Sequence, residues 1–584
     1  MRKLPLVLLF VFLAAQSFAV GTWTKLVTTL PYNYGAQMNL LSDGTAMIHL
    51  ANGGGDNYGN AWVRLTPDIH GSYVNGTITT LAPMHYTRLD FSAQILKDGR
   101  LYVAGGEYGT GLSNGEVYNP LTNTWTDTPL PGNTISDANS EILEDGRVLQ
   151  SLVGATTGIV IYDPITNTYS PGPSTLGRFK ESSWVKLADN SILYVDQNVR
   201  TSERYIPSLN KWIADGTVPV DLYDPYGSEA GAGLLLPDGR AFFLGSTGTT
   251  AIYTPTGDTT KGTWVAGPTI PNTQGTPDAP AAMMVNGKIL CVVSPLPTSA
   301  NHFPTPMSYY EYDYVANAFT RVNAPAGGTT TNNPSWTSNM LLLPDGSVLY
   351  GQQSSGNTVS RNMYIYTPDG TPQASGKPKI VNIVQNTNGS YTMTGTLFNG
   401  ITEGATYGDD EQMNTNYPIV RLTSGTNVYY ARTFNWNSTG LMRGNRPDTT
   451  TFTLPTGLPP TTTYSLVVTA NGISSDPVSF TPATFSSVGK TDRNGFQGSG
   501  LHGFSATSFG SMLNLHFRLE LGTPDQNALT LQLTKVDGQT VYEEKIPASG
   551  DFNRQIDLHS HGNGLYLFVL SNGKNRISRW ITVQ

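Results

Sequence analysis

The sequence predicts an all-β protein, and three observations support this fold class. Glycine, proline and tyrosine are abundant, at 62, 38 and 30 of 584 residues, and only 13% of the residues are charged. Short apolar runs alternate with turn residues along the chain, whereas long runs of helix-forming residues are scarce. One phrase, an apolar run followed by Asp-Gly and a second apolar run, returns at nearly regular intervals. We therefore expect many short strands arranged in repeated units.

The N-terminal segment has the three parts of a secretory signal peptide. Two basic residues precede an apolar stretch, which ends at the small-residue site Ser17-Phe18-Ala19. This order predicts a signal peptide over residues 1–19 that is cleaved after Ala19. The alternative is a membrane anchor, but a span needs roughly 20 apolar residues and this stretch is shorter. No later segment reaches that length either. We expect a secreted or cell-surface protein with no transmembrane anchor.

A hairpin signal recurs about every 50 residues, the period of several repeat architectures. Asp-Gly between two apolar runs predicts a tight type I′ hairpin, because that turn needs positive φ at both central residues. A second phrase falls between most turns, as in "VYNPLTNTW" and "IYDPITNTY", and ends on an aromatic residue that opens the next strand. The aligned turns are Asp43-Gly44, Asp98-Gly99, Asp145-Gly146, Asp189-Asn190, Asp238-Gly239, Asn286-Gly287 and Asp345-Gly346.

These phrases, together with glycine pairs such as Gly105-Gly106, resemble kelch repeats over roughly residues 21–370. The resemblance implies a seven-bladed kelch-type β-propeller, which we place at residues 20–376. The seventh blade is expected to take its missing strand from residues 21–31, where Trp23 holds the aromatic position of the repeat. Such closure removes two exposed sheet edges. The recurring aromatic side chains are expected to fill the space between neighbouring blades.

Two further β domains are predicted after the propeller. Residues 377–482 show alternating strands typical of an immunoglobulin-like sandwich, and "GATYGDDEQMNTNYPIVRL" resembles the sandwich that follows the propeller in galactose oxidase-like proteins. Residues 483–507 are rich in Ser, Gly and Thr and are interpreted as a linker. Residues 508–584 resemble the C-terminal sorting domains of the type IX secretion pathway, although the usual Asn-Pro element is absent. This resemblance implies secretion machinery as a partner; an extra sandwich used as a spacer or binding module is the alternative.

The galactose oxidase-like resemblance raises the question of copper-radical chemistry, which needs a cysteine bonded to a tyrosine, a second tyrosine and two histidine ligands. Asp90 or Lys180 stands where the crosslinked tyrosine would lie, and Phe434 follows Thr433 where the family carries a histidine. Cys291, the only cysteine, lies within a predicted strand as a buried small hydrophobe. We therefore expect no copper and no other cofactor.

Two small groups of residues leave metal binding open. Asp409, Asp410 and Glu411 offer oxygen ligands for a structural calcium ion, with a solvated or structural role as the alternative. His559 and His561 could hold a metal, although a solvated turn is the favoured interpretation. No metal site is assigned from the sequence.

The segments that lead into the innermost strands should meet at one mouth of the propeller channel. Among them, His85, Arg88, Asp90, Asp137 and Glu141 are the catalytic candidates, because a histidine can shuttle a proton and an aspartate can orient it. The alternative is that these charges only solvate the loops and cap the channel. The remaining candidates, proposed to bind a ligand, are Tyr32, Tyr34, Tyr86, Arg178, Lys180, Glu181, Asp224, Tyr226, Glu229, Asp278 and Trp336.

Charge and composition limit the classes of partner that this protein is expected to bind. The formal net charge is −8 and no run of basic residues stands out, so nucleic acid is not expected as a partner. Aromatic faces stack on sugar rings while carboxylates and arginines bond to hydroxyls, so we predict an extracellular glycan or protein ligand at the mouth. One alternative is an extracellular carbohydrate-active enzyme (a lyase, hydrolase or non-copper oxidase) that uses the same acidic and histidine residues. Another is a purely structural surface module.

Overall fold

The computed structural model has two compact units, residues 1–488 and 489–584. In each unit, the structure describes only part of the residues. Among those residues, no helix is long and apolar enough to cross a membrane. The predicted signal peptide, residues 1–19, lies outside them. The described residues are 20–52, 58–155, 157–197, 199–353, 361–386, 388–408, 411–485, 488–489, 501–509, 512–520, 529–535, 539–547, 549–562, 564–571 and 576–583.

Seven four-stranded antiparallel sheets form the blades of a β-propeller, as the repeat predicted. The sheet of blade 6 also takes up a hairpin from the following domain. From the channel outward, the strands are Asn33–Leu40, Ala46–Ala51, Ala61–Thr66 and Thr77–Thr80 in blade 1; Ser92–Ile95, Leu101–Ala104, Gly115–Asn119 and Thr124–Asp127 in blade 2; Ser140–Ile142, Val148–Leu152, Gly158–Asp163 and Thr168–Pro171 in blade 3; Val185–Lys186, Ile192–Val195, Thr201–Ile206 and Lys211–Thr217 in blade 4; Gly233–Leu235, Ala241–Leu244, Thr250–Thr254 and Thr263–Ala266 in blade 5; Pro280–Met283, Ile289–Pro295, Ser308–Asp313 and Ala318–Val322 in blade 6; and Ser338–Leu342, Val348–Gln352, Tyr364–Thr367 and Thr22–Lys25 in blade 7.

The Asp-Gly turns differ from the predicted type I′ geometry in a consistent way. In the first of them, Gly44 has φ 77° and its N–H donates to the carbonyl of Leu41, whereas Asp43 is not in the left-handed region. This is a three-residue loop that ends on a left-handed glycine. The Asp43 carboxylate instead accepts the N–H of Thr45 at 3.0 Å. The same two hydrogen bonds recur at all seven turns, which explains why Asp or Asn precedes Gly or Asn there.

The second repeated phrase owes its asparagine to another local bond. In blade 3, Asn167 has φ 52° and its Oδ1 accepts the hydroxyl of Tyr162 at 2.9 Å. Asparagine tolerates the left-handed conformation better than other non-glycine residues, so it ends the turn while it fixes the tyrosine. The same pair recurs as Tyr118–Asn123, Tyr205–Asn210 and Tyr312–Asn317.

Aromatic side chains pack between neighbouring blades, as the sequence predicted. Trp62 of blade 1 lies 5.9 Å from Trp125 of blade 2, measured between ring centroids. Phe242 of blade 5 stacks on Tyr312 of blade 6 at 4.1 Å. The predicted closure of the ring is also present, because Thr22–Lys25 pairs with Tyr364–Thr367.

The second domain is an immunoglobulin-like sandwich with its own apolar core. Thr433, at the end of a sandwich strand, donates its backbone N–H to Ser42 of the first propeller turn at 3.2 Å. Its strands are Lys379–Gln385, Tyr391–Thr396, Ile419–Ser424, Asn427–Phe434, Asp448–Thr453, Tyr464–Ala470, Ile473–Ser474 and Val478–Phe480, with Val488–Gly489 at the edge. Single-turn 3-10 helices span Pro207–Leu209, Pro271–Thr273, Ser335–Thr337, Ala374–Gly376 and Pro482–Thr484.

A hairpin of the sandwich, Gly404–Tyr407 and Glu411–Asn414, enters the propeller channel, which the sequence did not predict. Its first strand pairs with Pro280–Met283 of blade 6. Asn414 donates from Nδ2 to Gln94 Oε1 of blade 2 at 2.9 Å. The hairpin therefore fills the axis of the ring and joins the propeller and the sandwich into one compact unit.

A fully buried lysine ties the base of this hairpin to two blades. Lys186 Nζ of blade 4 lies 2.7 Å from Glu141 Oε1 of blade 3 and 3.0 Å from Glu403 Oε1 beside the hairpin. Burial raises the pKa of Glu141, and the negative charge of Glu403 raises it further, whereas Lys186 acts in the opposite direction. A buried ion pair of this kind is costly to break, because removal of one partner leaves an uncompensated charge.

The C-terminal unit consists of two sheets around a separate apolar core. Its first strand, Leu501–Phe509, pairs with Met512–Glu520, so the domain begins earlier than the predicted boundary at residue 508. The Ser- and Gly-rich composition concealed this strand, although Phe504 and Ala506 alternate towards the core. Asp537-Gly538, a further turn signal in the sequence, lies outside the described residues. The remaining strands are Leu529–Lys535, Thr540–Ile546, Ser549–Asp557, Gly564–Ser571 and Arg576–Val583.

Candidate functional site

Five carboxyl groups from five consecutive blades act on one another at one mouth of the channel. Glu107 follows the second strand of blade 2, and Asp137, Glu181, Glu229 and Asp278 lie in the segments that lead into blades 3 to 6. Burial raises the pKa of Glu229 strongly, and the charges of Asp278 and Glu181 raise it further. Crowding around the Glu107 carboxyl removes water from it and, with the charge of Asp137, raises its pKa to about 7. The mouth is therefore strongly electronegative and holds part of its carboxyl groups in the protonated form.

The same lead-in segments share an unusual backbone conformation. The segments that lead into blades 2 to 6 each carry at least one non-glycine residue in the left-handed region, a conformation that costs roughly 1 kcal/mol or more and clusters at functional sites. Of the five that lie closest to the inner strands, three bear carboxylates, and each of the two serines directly precedes one. The five residues are Asp90 (φ 48°), Ser136 (57°), Glu181 (56°), Ser228 (67°) and Asp278 (52°).

The sandwich hairpin ends at this ring of carboxylates. Tyr407 donates its hydroxyl to Asp278 Oδ2 at 3.0 Å. Gly408 packs so closely that a Cβ atom there would lie 2.7 Å from Asp278 Oδ1. Glu411 is fully buried and accepts a hydrogen bond from Asn339 Nδ2 at 2.6 Å. Since Asp409 and Asp410 lie outside the described residues, the structural calcium site stays a prediction.

Exposed tyrosines lie in the loops that carry two of the carboxylates: Tyr108 directly follows Glu107, and Tyr226 precedes Glu229 by three residues. Tyr32, Tyr108 and Tyr226 are 53%, 41% and 46% exposed. Tyr226 stacks on His302, with 6.3 Å between ring centroids. Aromatic rings with accessible faces next to hydrogen-bonding groups suit ligands that combine an apolar face with hydroxyl groups, such as sugar rings.

A cavity of about 500 Å³ lies between blades 4 and 5 beside the mouth. Its lining combines apolar side chains, such as Val199 and Val220, with the exposed ion pair of Arg200 and Asp221. Asp224 also lines it, and that carboxylate accepts the backbone N–H groups of Tyr226, Gly227 and Glu229. Asp224 therefore shapes the loop that carries Glu229, while the cavity extends the accessible surface of the mouth.

Three predicted site residues are enclosed by structural partners. Arg88 is fully buried and donates to Glu116 Oε2 at 2.9 Å and to nearby backbone carbonyls. Glu141 is held by Lys186 inside the channel, and Tyr34 is packed in the apolar core. These side chains hold the ring together, so the expectation that they face a ligand does not agree with their burial.

The other predicted residues are more accessible. The Tyr86 ring packs against the guanidinium group of Arg88, and the Arg88 Cζ atom lies 5.7 Å from the ring centroid. Lys180 lies 3.8 Å from Glu181 and is half-exposed, and Arg178 is exposed. Trp336 is partly buried and packs edge-on against a phenylalanine.

The sequence predicted that His85 lies at the mouth with Asp90 as its partner. In the structure, its carboxylate partner is Asp127 instead. His85 Nδ1 lies 2.6 Å from Asp127 Oδ1, at the end of the outermost strand of blade 2. The chain crosses from the outer strand of blade 1 to the inner strand of blade 2, and His85 comes early in that crossing. It therefore lies at the outer edge of the blade, away from the channel.

Sequence reasoning missed Glu107 and Tyr407. Glu107 lies in the loop between the second and third strands of blade 2, directly after the glycine pair Gly105-Gly106. The predicted site residues all come from the segments that lead into the inner strands, and this loop is not one of them. Tyr407 belongs to the sandwich, and nothing local in the sequence indicates that its hairpin enters the channel. The glycine pair was the signal that could have drawn attention to Glu107.

Comparisons with known proteins give two family matches and a similar solved structure. The family model described as "Kelch motif" matches residues 97–129, and the one described as "Secretion system C-terminal sorting domain" matches residues 511–584. No curated protein matches the chain in sequence. A solved structure described as a novel fungal alcohol oxidase of the AA5 family, in complex with copper, is similar at 14% identity with a TM-score of 0.47. That similarity covers 79% of this chain and 98% of the fungal one.

The two family matches fall on the parts of the molecule that the fold assigns to them. The Kelch match covers the hairpin turn and the three outer strands of blade 2, and the sorting-domain match covers the C-terminal unit after its first strand. A C-terminal sorting domain implies secretion or attachment to the cell surface. The chain thus has a β-propeller with a Kelch motif in its second blade, and its C-terminal domain matches the secretion sorting family.

Proposed function

We propose that this protein binds an extracellular carbohydrate at the propeller mouth. The observation that carries the proposal is the convergence of carboxyl groups from five blades beside exposed tyrosines. Ionised carboxylates accept hydrogen bonds from sugar hydroxyls, and protonated carboxyls also donate them. Tyr226 and Tyr108 supply apolar faces beside this polar ring, and the adjoining cavity gives room for further sugar units.

The charge of the mouth selects among carbohydrates. Uronic acids and sulfated sugars would place further negative charge beside Asp278 and Glu181, and like charges repel strongly where water is partly excluded. Neutral glycans and glycans with amino groups avoid this repulsion. The proposed ligand is therefore a neutral or amino-containing glycan.

We further propose that the mouth does not perform copper-radical chemistry. Its converging donors are carboxylates, whereas such a centre needs imidazole ligands and a thioether-linked tyrosine. Cys291 is fully buried within Ile289–Pro295, and its thiol donates to the Tyr310 carbonyl at 3.5 Å. Burial also raises the pKa of this thiol. The residues present thus do not fit that cofactor.

A second function, glycan cleavage, is favoured by one observation. Burial, together with the charge of nearby Asp137, raises the pKa of Glu107 to about 7. A protonated carboxyl beside an ionised one is the pair that glycoside hydrolysis uses for acid and base. Glu107 would act as the general acid in this mechanism and Asp137 as its partner. Glu141, another predicted acid, is less suitable as the partner of Asp137, because Lys186 holds it in the channel.

A panel of polysaccharides tests both functions with one purified protein. The panel contains neutral glucans and xylans, chitosan, and the acidic polymers alginate and polygalacturonate, and it is scored for binding and for released oligosaccharides. Bound copper and peroxide production are measured on the same samples. We expect binding to neutral or amino polymers and little binding to acidic ones.

The outcomes separate the alternatives. Binding without products supports a binding protein, and released oligosaccharides that disappear in Glu107→Gln support the enzyme. Preferred binding of acidic polymers contradicts the charge argument, and one copper ion per chain with peroxide release contradicts the exclusion of copper. Asp476→Asn, which removes an exposed carboxylate from the sandwich, is the matched control and should bind like the wild type.

A further inference from the structure

Three side chains with metal-ligating atoms meet at the outer edge of blade 2. His85 Nδ1 lies 2.6 Å from Asp127 Oδ1 and 3.6 Å from Glu116 Oε1. All three ligand atoms lie within 4.8 Å of one another. This cluster is separate from the carboxylates of the mouth and does not depend on the proposed function.

The strand register brings the two carboxylates of this cluster together. Glu116 and Asp127 are direct partners across the antiparallel pair Gly115–Asn119 and Thr124–Asp127. Like charges directly opposite one another destabilise a sheet. Arg88 faces Glu116 Oε2 at 2.9 Å and balances one charge, and His85 is the only other basic group in the ion pairs of this cluster among the described residues. The place between the two carboxylates is therefore favourable for a cation.

His85 is already oriented towards this place. Its backbone N–H donates to Glu116 Oε1 at 2.7 Å, which holds the residue over the strand pair. Glu116 is fully buried and fixed by Arg88, whereas the side chains of His85 and Asp127 are 51% and 49% exposed. One ligand is thus rigid, and the other two can be reached from solvent.

We propose that His85, Glu116 and Asp127 bind one divalent transition-metal ion of the Zn²⁺ type. Imidazole nitrogens and carboxylate oxygens are both ligands that zinc accepts, and three protein ligands leave the fourth position to water. Around tetrahedral zinc such ligand atoms lie about 3.3 Å apart, given metal–ligand distances of about 2.0–2.1 Å. The half-exposed Asp127 side chain needs only a small outward movement from His85 to reach this spacing. Calcium and magnesium prefer oxygen ligands alone and should bind weakly here.

Zinc titration of the full-length, untagged protein tests this site. After treatment with a chelator, the wild type is titrated with ZnCl₂ in a calorimeter, and its melting temperature is recorded with and without zinc. We expect one ion bound per chain and a higher melting temperature with zinc, because a ligand that binds only the folded state stabilises it. His85→Gln and Asp127→Asn should each weaken zinc binding at least about tenfold.

A control variant distinguishes this cluster from the histidine pair of the C-terminal domain. The double variant His559→Ala/His561→Ala alters the pair in the C-terminal domain and should bind zinc like the wild type. Full zinc affinity in His85→Gln, or loss of binding only in the double variant, would overturn the proposal. Absence of zinc binding at micromolar concentration would also overturn it. Because His85 is half-exposed, unchanged melting temperatures without zinc will show that the variants are folded.

Discussion

At the scale of single residues, Glu229 holds a carboxyl group where other carboxylates surround it. Its pKa is raised in the folded state, so the unfolded chain ionises first as the pH rises above about 4.5 and folding becomes less favourable. We predict that Glu229→Gln is more stable than the wild type at pH 7–8, by about 1 kcal/mol or more. The difference should vanish near pH 4, where both states are protonated. Urea unfolding at several pH values measures this effect, and an equal difference at pH 4 and pH 8 would contradict it.

The repeated turns allow a residue-scale test of backbone conformation. Gly239 has φ 87°, and a Cβ atom there would contact only Met442 Sδ at 4.0 Å, so space is not limiting. Gly239→Ala should therefore destabilise the protein by about 1–2 kcal/mol through the left-handed backbone alone. Gly239→Asn is the control and should cost less, since Asn190 adopts φ 66° at the equivalent turn position. Equal unfolding free energies for the two variants would show that conformation is not the cause.

At the scale of elements, the blades were predictable because their signals are local. Each turn is closed by bonds between residues at most four positions apart, such as Leu41, Asp43 and Thr45. The channel hairpin was not predictable, because Asn414 and Gln94 are 320 residues apart and the hairpin itself looks like any other strand pair. The sequence predicted where the mouth lies, but it predicted only some of the residues that form it. Burial of Arg88 and Glu141 depends on partners that no local pattern indicates.

The base of the channel hairpin depends on one lysine. Lys186→Met leaves Glu141 and Glu403 buried without their cation, so we predict a loss of stability of about 3–5 kcal/mol. Adding Glu141→Gln and Glu403→Gln to this variant should recover a large part of that loss, because no buried charge is then left unpaired. Chemical denaturation of the wild type, Lys186→Met and the triple variant measures the effect. A small loss in Lys186→Met would mean that water reaches these carboxylates.

The closing strand of blade 7 gives another element-scale prediction. Trp23 packs against Tyr309, Tyr350 and Tyr366, so Trp23→Ala should cost about 2–3 kcal/mol and loosen this strand. Trp264→Ala, at the equivalent position of blade 5, is the matched control inside the ring. Hydrogen exchange should increase over residues 22–25 only in Trp23→Ala. The same protection of these amides in both variants would contradict a closing role for Trp23.

At the scale of the whole molecule, the two compact units have separate apolar cores. We predict that a chain ending at residue 488 keeps the ligand affinity and melting temperature of the propeller and sandwich. Without the sorting domain, however, it should remain inside the producing cell, whereas the full chain is exported. Cell fractionation and calorimetry measure both properties. Export of the shortened chain at the wild-type level would contradict the assigned role of the C-terminal unit.

The central claim, that five blades build one binding site from their carboxyl groups, also belongs to the whole molecule. The most direct test is a calorimetric titration of the best glycan from the panel into the wild type and into Glu229→Gln/Asp278→Asn, with Asp476→Asn as the control. We predict that the double variant binds at least about tenfold more weakly, since two hydrogen-bonding carboxyls contribute on the order of 1.5 kcal/mol or more. The control should match the wild type. Equal affinity of the double variant and the wild type would place the ligand elsewhere and contradict the claim.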